Sequence, residues 1–424
     1  MFRLFKNSPE YQRRLKTPFY PPKITLSQLH SAVPKHLWQK STQKALYYVV
    51  RDLLFAIAFY VLALYIDPFC CSLTAHQVVS QLLRWSLWCV YWFWQGIVLA
   101  GWWCIGHEAG HGTLSPQKWV NHVIGFTLHT SILVPYYSWR STHHAHHKAV
   151  GSIERDENYV PRTRSDYSLP PVSKSHVADY HEIFEETPIY TLGRMLAMQL
   201  FGWHAYLCTN ALGSKMYPKG TNHFQPSSPL FKPSERRDII ISNVGLAIMS
   251  AILWQYASAV GFANFVKLYF IPYLLANHWI VMLTFLHHSD PTIPHYRSKE
   301  WSFLRGAAAT VDRPLLGWIG RFFLHNVSHD HVAHHFFSTI PFYNQPEVTR
   351  AIKKVLKDDY NYDSTNSFYA LYRSFTECCF IEDDGEVVFY KNKDGVAQRQ
   401  LAFEDTAADD SGYGSADSTE CESS

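Results

Sequence analysis

Three short histidine runs mark where this chain could do chemistry: HEAGH at residues 107–111, HHAHH at 143–147 and HVAHH at 331–335. Neutral imidazole is the commonest protein metal ligand, so histidines clustered this way point first to metal binding. HEAGH alone has the letters of H-E-x-x-H, where two histidines one helical turn apart hold zinc and the glutamate activates water. The same letters fit a simpler pair, His107 and His111, with Glu108 as an acceptor that orients a ligand ring. The other two runs both contain H-x-x-H-H. On a helix the first histidine then has partners three and four residues on, along its own face. His143 therefore faces His146 and His147, and His331 faces His334 and His335. With His107 and His111 this makes eight imidazoles, too many for one tetrahedral zinc, which takes four. They suit two ions with room for water or dioxygen. Imidazole accepts zinc, copper, nickel or iron, so ligand type does not name the metal. A zinc-protease reading needs only His107, Glu108, His111 and one more ligand, and it leaves both H-x-x-H-H runs unexplained. His144 turns about 100° off the face of its neighbours and reads as a non-ligand.

The elements that must position these residues are apolar helices. Hydrophobic residues make up 47% of the 424-residue chain and aromatics 16%, while only 17% is charged, against roughly 25% in an ordinary soluble domain. Four stretches are long enough to cross a bilayer, which takes about 20 apolar residues: 53–71, 86–106, 239–260 and 265–286. Short linkers within each pair predict two hairpins. Two weaker apolar pieces, 123–137 and 190–207, read as interfacial helices. Lysine and arginine crowd the arm at 1–46 and the segments "VPRTRSDY" and "FKPSERRD", and the hairpin tips have almost none. The positive-inside rule then places both termini and the long middle segment in the cytosol. All three histidine runs follow cytosolic ends of spans, so they converge on one membrane face. The predicted architecture is an all-α integral membrane protein: four transmembrane helices as two hairpins, interfacial helices, and a cytosolic helical cap carrying the histidines. The membrane domain spans 47–380, and 381–424 reads as an acidic disordered tail.

Other classes are excluded by what the chain lacks. A net charge of +3 is too small to argue for nucleic acid. The eight cysteines make no C-x-x-C and no stapling pattern, as expected of thiols in a reducing compartment. The basic amino terminus has no apolar core of the kind a cleavable signal needs. No G-x-G-x-x-G dinucleotide fingerprint is present, so any reducing electrons must come from another protein.

HEAGH followed by HHAHH and HVAHH resembles the three histidine boxes of the membrane-bound fatty-acid desaturase family. The surroundings are similar to its fungal and plant oleate Δ12 (omega-6) branch: "HNVSHDHVAHHFFSTIPFYNQPEVTRAI" (325–352), "LHHSDPTIPHY" (286–296), "RGAAATVDR" (305–313) and "ERDENYVPRTRSDY" (154–167). The likeness covers about 45–375. Ala109 stands where many relatives have cysteine, and His329 where many have an acid; neither is a ligand position. The resemblance implies two iron ions, dioxygen as co-substrate, and electrons from cytochrome b5 and its NADH-dependent reductase. It implies conversion of oleoyl to linoleoyl chains, carried on membrane lipid or coenzyme A, in the endoplasmic reticulum membrane. Δ15 or bifunctional desaturation, hydroxylation and epoxidation share the scaffold. The implied ligands are His107, His111, His143, His146, His147, His331, His334 and His335, with a ninth near the end of the fourth span, best matched by His288 and next by His325. The sequence allows a homodimer without requiring one. Bottom-up chemistry agrees with the implied reaction: an unactivated methylene has no acidic proton, so a metal–oxygen oxidant must remove its hydrogen.

Overall fold

The computed structural model describes residues 4–73 and 76–402. These residues are mainly helical, and among them one two-stranded antiparallel sheet pairs His295–Tyr296 with Val387–Val388. We label the helices that build the site α1 (Thr42–Leu64), α2 (Gln77–Gly110), α3 (Lys118–Ser131), α4 (Tyr136–Ala149), α5 (Pro188–Thr209), α6 (Arg236–Val260), α7 (Ile271–His288), α8 (His331–Phe336), α9 (Gln345–Leu356) and α10 (Ser367–Glu377).

Among the described residues, three helical stretches are long and apolar enough to cross a membrane: Thr42–Ser72, Pro233–Val260 and Phe262–His288. The expected second span, within α2, is not among them. Its 34 residues make it roughly 50 Å long at 1.5 Å per residue. Its length exceeds a hydrocarbon core of about 30 Å. Trp85, Trp88, Trp92, Trp94, Trp102 and Trp103 lower its hydropathy, although such rings bury large areas and suit membrane interfaces. The second expected hairpin also opens. Helix α6 packs on α3 and α4, while α7 packs on α2 and α5. A π-helical turn at Val266–Phe270 leads into α7 and accommodates Pro272 at its start. At the end far from the histidines, Asp67 accepts from Arg84 Nε (2.8 Å), Trp88 Nε1 (2.9 Å) and Lys267 Nζ (2.6 Å). The few cations near the hairpin tips are thus neutralised on the spot.

Helices α2, α5 and α7 share the main apolar core, which includes Trp103, Trp139, Trp203, Trp279 and Met282. A second core backs the third histidine run. Leu29, Val33 and Leu37 of the amino-terminal arm pack there with Val332, Ala333 and Phe336 of α8 and with Val348 and Ile352 of α9. The arm is therefore a wall of the cap. The expected acidic tail also begins later than residue 381: residues up to 402 pack as a strap. Phe19 N–H donates to Gln400 O (2.8 Å), and Ala402 N–H to Phe19 O (2.9 Å). The apolar run Val387-Val388-Phe389-Tyr390 lets the strap bury itself ahead of the acidic stretch. Residues 403–424 of that tail lie outside the described residues.

Arm, spans and cap meet at a buried ionic cluster just past the end of α7. Arg313 donates to Asp290 Oδ2 (2.6 Å) and to Asp363, and Arg373 donates to Asp363 Oδ2 (2.6 Å). Arg14 of the arm lies 4.0 Å from Asp290 Oδ2, and Ser8 Oγ donates to Asp363 Oδ1 (2.7 Å). Burial alone would raise the Asp363 carboxyl, but Arg313 and Arg373 hold it well below the usual carboxylate range. A depressed folded pKa adds stability above the unfolded value of about 3.9 that is lost only as pH falls toward the folded value. Removing one partner of such a network leaves uncompensated buried charge. Asp363→Asn should cost about 3–5 kcal/mol, read as a lower thermal midpoint of the purified full chain near neutral pH. An unchanged midpoint would contradict this account of the cap.

Candidate metal centre

Box one ends α2, boxes two and three lie on α4 and α8, and α7 ends at His288. These helices bring nine imidazoles together in two adjacent groups. The first holds His107, His111, His143, His147 and His334, and the second His146, His288 and His335. His331 joins the second: its Nε2 lies 3.0 Å from that of His288 and 3.0 Å from that of His335. In the first group Nε2–Nε2 separations are 3.0 Å for His111–His143, 3.1 Å for His143–His147 and 3.2 Å for His147–His334. The stacked rings of His147 and His335, centroids 4.3 Å apart, join the groups.

Each H-x-x-H-H run is divided between the two groups, which spacing alone did not foretell. The i, i+4 pairs stay together: His107 with His111, His143 with His147, His331 with His335. The i+3 members cross over, His146 to the second group and His334 to the first. At 3.6 residues per turn, i+4 lies about 40° to one side of i, and i+3 about 60° to the other. One run can therefore serve two neighbouring centres.

The donor set fits metal ions. A neutral imidazole nitrogen either donates or accepts, so His143 Nε2, 3.0–3.1 Å from two other Nε2 atoms, cannot pass a proton along the row. Two nitrogens about 2.1 Å from one ion and at right angles to each other lie about 3.0 Å apart, the spacing found. Burial first, and neighbouring imidazoles second, push His143, His147, His331 and His335 well below the ordinary histidine value. His334 falls to about 3 for the same leading cause. The rings are thus neutral, as ligation requires.

Carboxylates orient the rings from behind. Asp156 Oδ1 accepts from His146 Nδ1 (2.6 Å), and its carboxylate also accepts from the backbone N–H of Asn158 and of Gly151, both at 3.0 Å. This leaves His146 Nε2 for the centre, the usual carboxylate–histidine arrangement around a metal. Glu108 Oε1 lies 3.2 Å from His107 Nδ1 and 3.8 Å from His334 Nδ1, and Thr113 donates to Oε2 (2.8 Å). Glu108 faces the backs of the rings rather than the point where the Nε2 atoms converge, so it is not placed as a hydrolytic base. Asp312 accepts from Val332 N–H (2.7 Å) and from Tyr360, which pins the start of α8. Gly106 lets α2 meet α3: a Cβ there would lie 2.1 Å from a carbon of His129.

His325, the second candidate for a ninth ligand, and His144, read as a non-ligand, both lie outside the two groups. His325 Nε2 contacts Asp52 Oδ2 (2.7 Å), and His144 Nε2 contacts Gly110 O (2.9 Å). Asp52, Asp156 and Asp312 carry no sequence signal, because acids outside a box make no fixed spacing pattern with it. An apolar cavity of about 340 Å3 between α5 and α7 reaches His107 and His143 of one group and His146, His288 and His331 of the other. Trp103, Trp139 and Trp203 line it, and the "YWFW" stretch at 91–94 does not. Tyr91 and Trp92 instead donate to Leu268 O (2.6 Å) and Lys267 O (2.9 Å).

Two substitutions separate ligation from proximity. His147→Ala should abolish activity, whereas His144→Ala should retain most of it; equal losses would contradict the grouping. Asp156→Asn should weaken metal binding about 10–100-fold, measured by metal titration of the stripped protein, and unaltered affinity would remove Asp156 from the centre.

Comparison with known proteins agrees with the geometry. The profile of the family described as fatty acid desaturase matches residues 83–366. The chain is 41% identical over 390 residues to a Δ(12) fatty acid desaturase of Mortierella isabellina, covering 90% of this chain and 93% of the relative. It is equally similar to the Δ(12) fatty acid desaturase of Mortierella alpina, 41% identical with the same coverage. It is 36% identical over 412 residues to an oleate hydroxylase of Claviceps purpurea, covering 91% of this chain and 84% of the relative. A helical membrane-type chain whose three histidine boxes close on two adjacent metal-sized groups beside an apolar cavity belongs to the fatty acid desaturase family.

Proposed function

We propose that this protein is a di-iron, dioxygen-dependent desaturase that introduces a cis double bond at Δ12 of oleoyl chains to give linoleoyl chains. The observation that carries this reading is the apolar cavity walled by rings of both histidine groups. Five imidazoles in one group exceed a tetrahedral zinc site, and an unactivated acyl chain fits an apolar cavity. His107, His111, His143, His147 and His334 would hold one iron, and His146, His288, His331 and His335 the other. Bound iron would supply the oxygen-derived oxidant needed to remove hydrogen from an unactivated methylene.

The chain's own residues orient and shield. Asp156 holds His146 to one tautomer, and Glu108 sits where it can do the same for His107 and His334. Trp103, Trp139 and Trp203 keep the cavity dry beside the rings, which protects the oxidising step from water. Removing two hydrogens while dioxygen goes to two waters consumes two further electrons and two protons. Cytochrome b5 and its NADH-dependent reductase are the proposed source, acting at the cytosolic face of the endoplasmic reticulum membrane. The substrate is an acyl chain on membrane lipid or coenzyme A.

Hydroxylation at the same carbon is the second reading, favoured by the hydroxylase relatives, among them an oleoyl-12-hydroxylase of Ricinus communis at 37% identity. The 41% identity to the two Mortierella desaturases, above the 36–37% to the hydroxylases, favours desaturation. Expression in a yeast that makes no polyunsaturated lipid, followed by fatty-acid profiling, tests the choice. Linoleate should appear, and His334→Ala should remove it. A 12-hydroxy product in its place would establish the second reading, and an unchanged profile would refute both.

A further inference from the structure

Asp52 lies ten residues into α1, about 15 Å along it, beside Arg51 and directly before the apolar stretch at 53–71, and it is fully buried. An ionisable side chain in a membrane-type helix is costly unless paired, and it usually marks function. Both of its oxygens are engaged. Oδ1 accepts from Arg51 Nε (2.8 Å), and Oδ2 accepts from His325 Nε2 (2.7 Å). The rings of Tyr48 and Phe342 meet His325 edge-on, with centroids 5.8 and 4.9 Å away.

His325 sits in a strained turn. It has φ +51°, and Asn326, next in the chain, has φ +66°. Two successive non-glycine residues in the left-handed region persist only where the surroundings hold them. The turn delivers both parts of the site. Val327 lines the acyl cavity, and Asn326 O accepts from His329 N–H (2.9 Å) and Asp330 N–H (3.0 Å) at the threshold of α8. His331, His334 and His335 follow at once.

We infer that Asp52 and His325 form a tether from the first span that positions the third histidine box and the Val327 wall of the cavity. His325 is thereby a positioning residue and not a ninth ligand. The inference rests on the metal-centre reading above, because its effect is exerted on box-three rings.

The experiment uses the purified full-length protein in lipid nanodiscs. It reads iron per chain, helix content by circular dichroism and, in the yeast assay, the positions of the double bonds formed. His325→Gly supplies the left-handed turn without a side-chain penalty but cuts the tether. It should keep wild-type helix content, bind iron about 10-fold more weakly and spread the double bond over neighbouring positions. Asp52→Ala should behave alike, and the double variant should be no worse than either. Asp52→Asn keeps an acceptor for the imidazole N–H and should recover most of the iron; it carries the Asp52 arm if the alanine variant fails to accumulate. Wild-type iron content and product positions in His325→Gly would overturn the tether, as would losses that multiply in the double variant. Wild-type protein that binds no iron would overturn the metal-centre reading itself, and the tether's role with it.

Discussion

Nine imidazoles gathered in two adjacent groups, seven of them with Nε2 atoms 3.0–3.2 Å from a neighbour's, are the constraint on which this molecule is organised. Lone pairs that converge without protons between them repel, and a buried pocket gives them no water to turn to. Only a positive ion resolves the conflict, so the scaffold must hold the rings in place against it. Helices do so with little freedom: α2 extends beyond the length of a bilayer core, α7 terminates at His288, and α4 and α8 each supply an i, i+4 pair. Behind them Asp156 and Asp312 fix one ring and one helix start.

The cap is kept over the spans by charge as much as by apolar contact. Arg313, Arg373 and Arg14 share Asp290 and Asp363 in a cluster closed to solvent, two residues beyond His288. The amino-terminal arm enters that cluster and also forms the back of the third box's core. Arm, spans and cap are therefore tied together around the rings, which would suit a centre whose ligands come from four separate segments.

What could be read from the sequence was local. H-x-x-H-H announces chelating rings because i+3 and i+4 neighbours need no tertiary knowledge, and the long apolar runs of α1, α6 and α7 announce membrane-type helices. What could not be read depends on how distant segments meet. The crossing of His146 and His334 into opposite groups follows from the mutual placement of α2, α4 and α8. His325 ranks second to His288 as a ninth ligand by sequence, and its engagement by Asp52, 273 residues earlier, has no signal there. The six tryptophans of α2 lower its hydropathy, so the span expected at 86–106 is not among the helices apolar enough to cross a membrane. The strap at 381–402 was hidden by the acidic stretch beyond it.

The cavity links this geometry to the chemistry. It is apolar where an acyl chain would lie and touches rings of both groups at one side, so one bound chain would face both groups together. The claim under all of this is that two ions, not one, sit among the nine histidines. Elemental analysis of the purified full-length protein tests it most directly: the account predicts about two iron atoms per chain, and a single zinc per chain would contradict it.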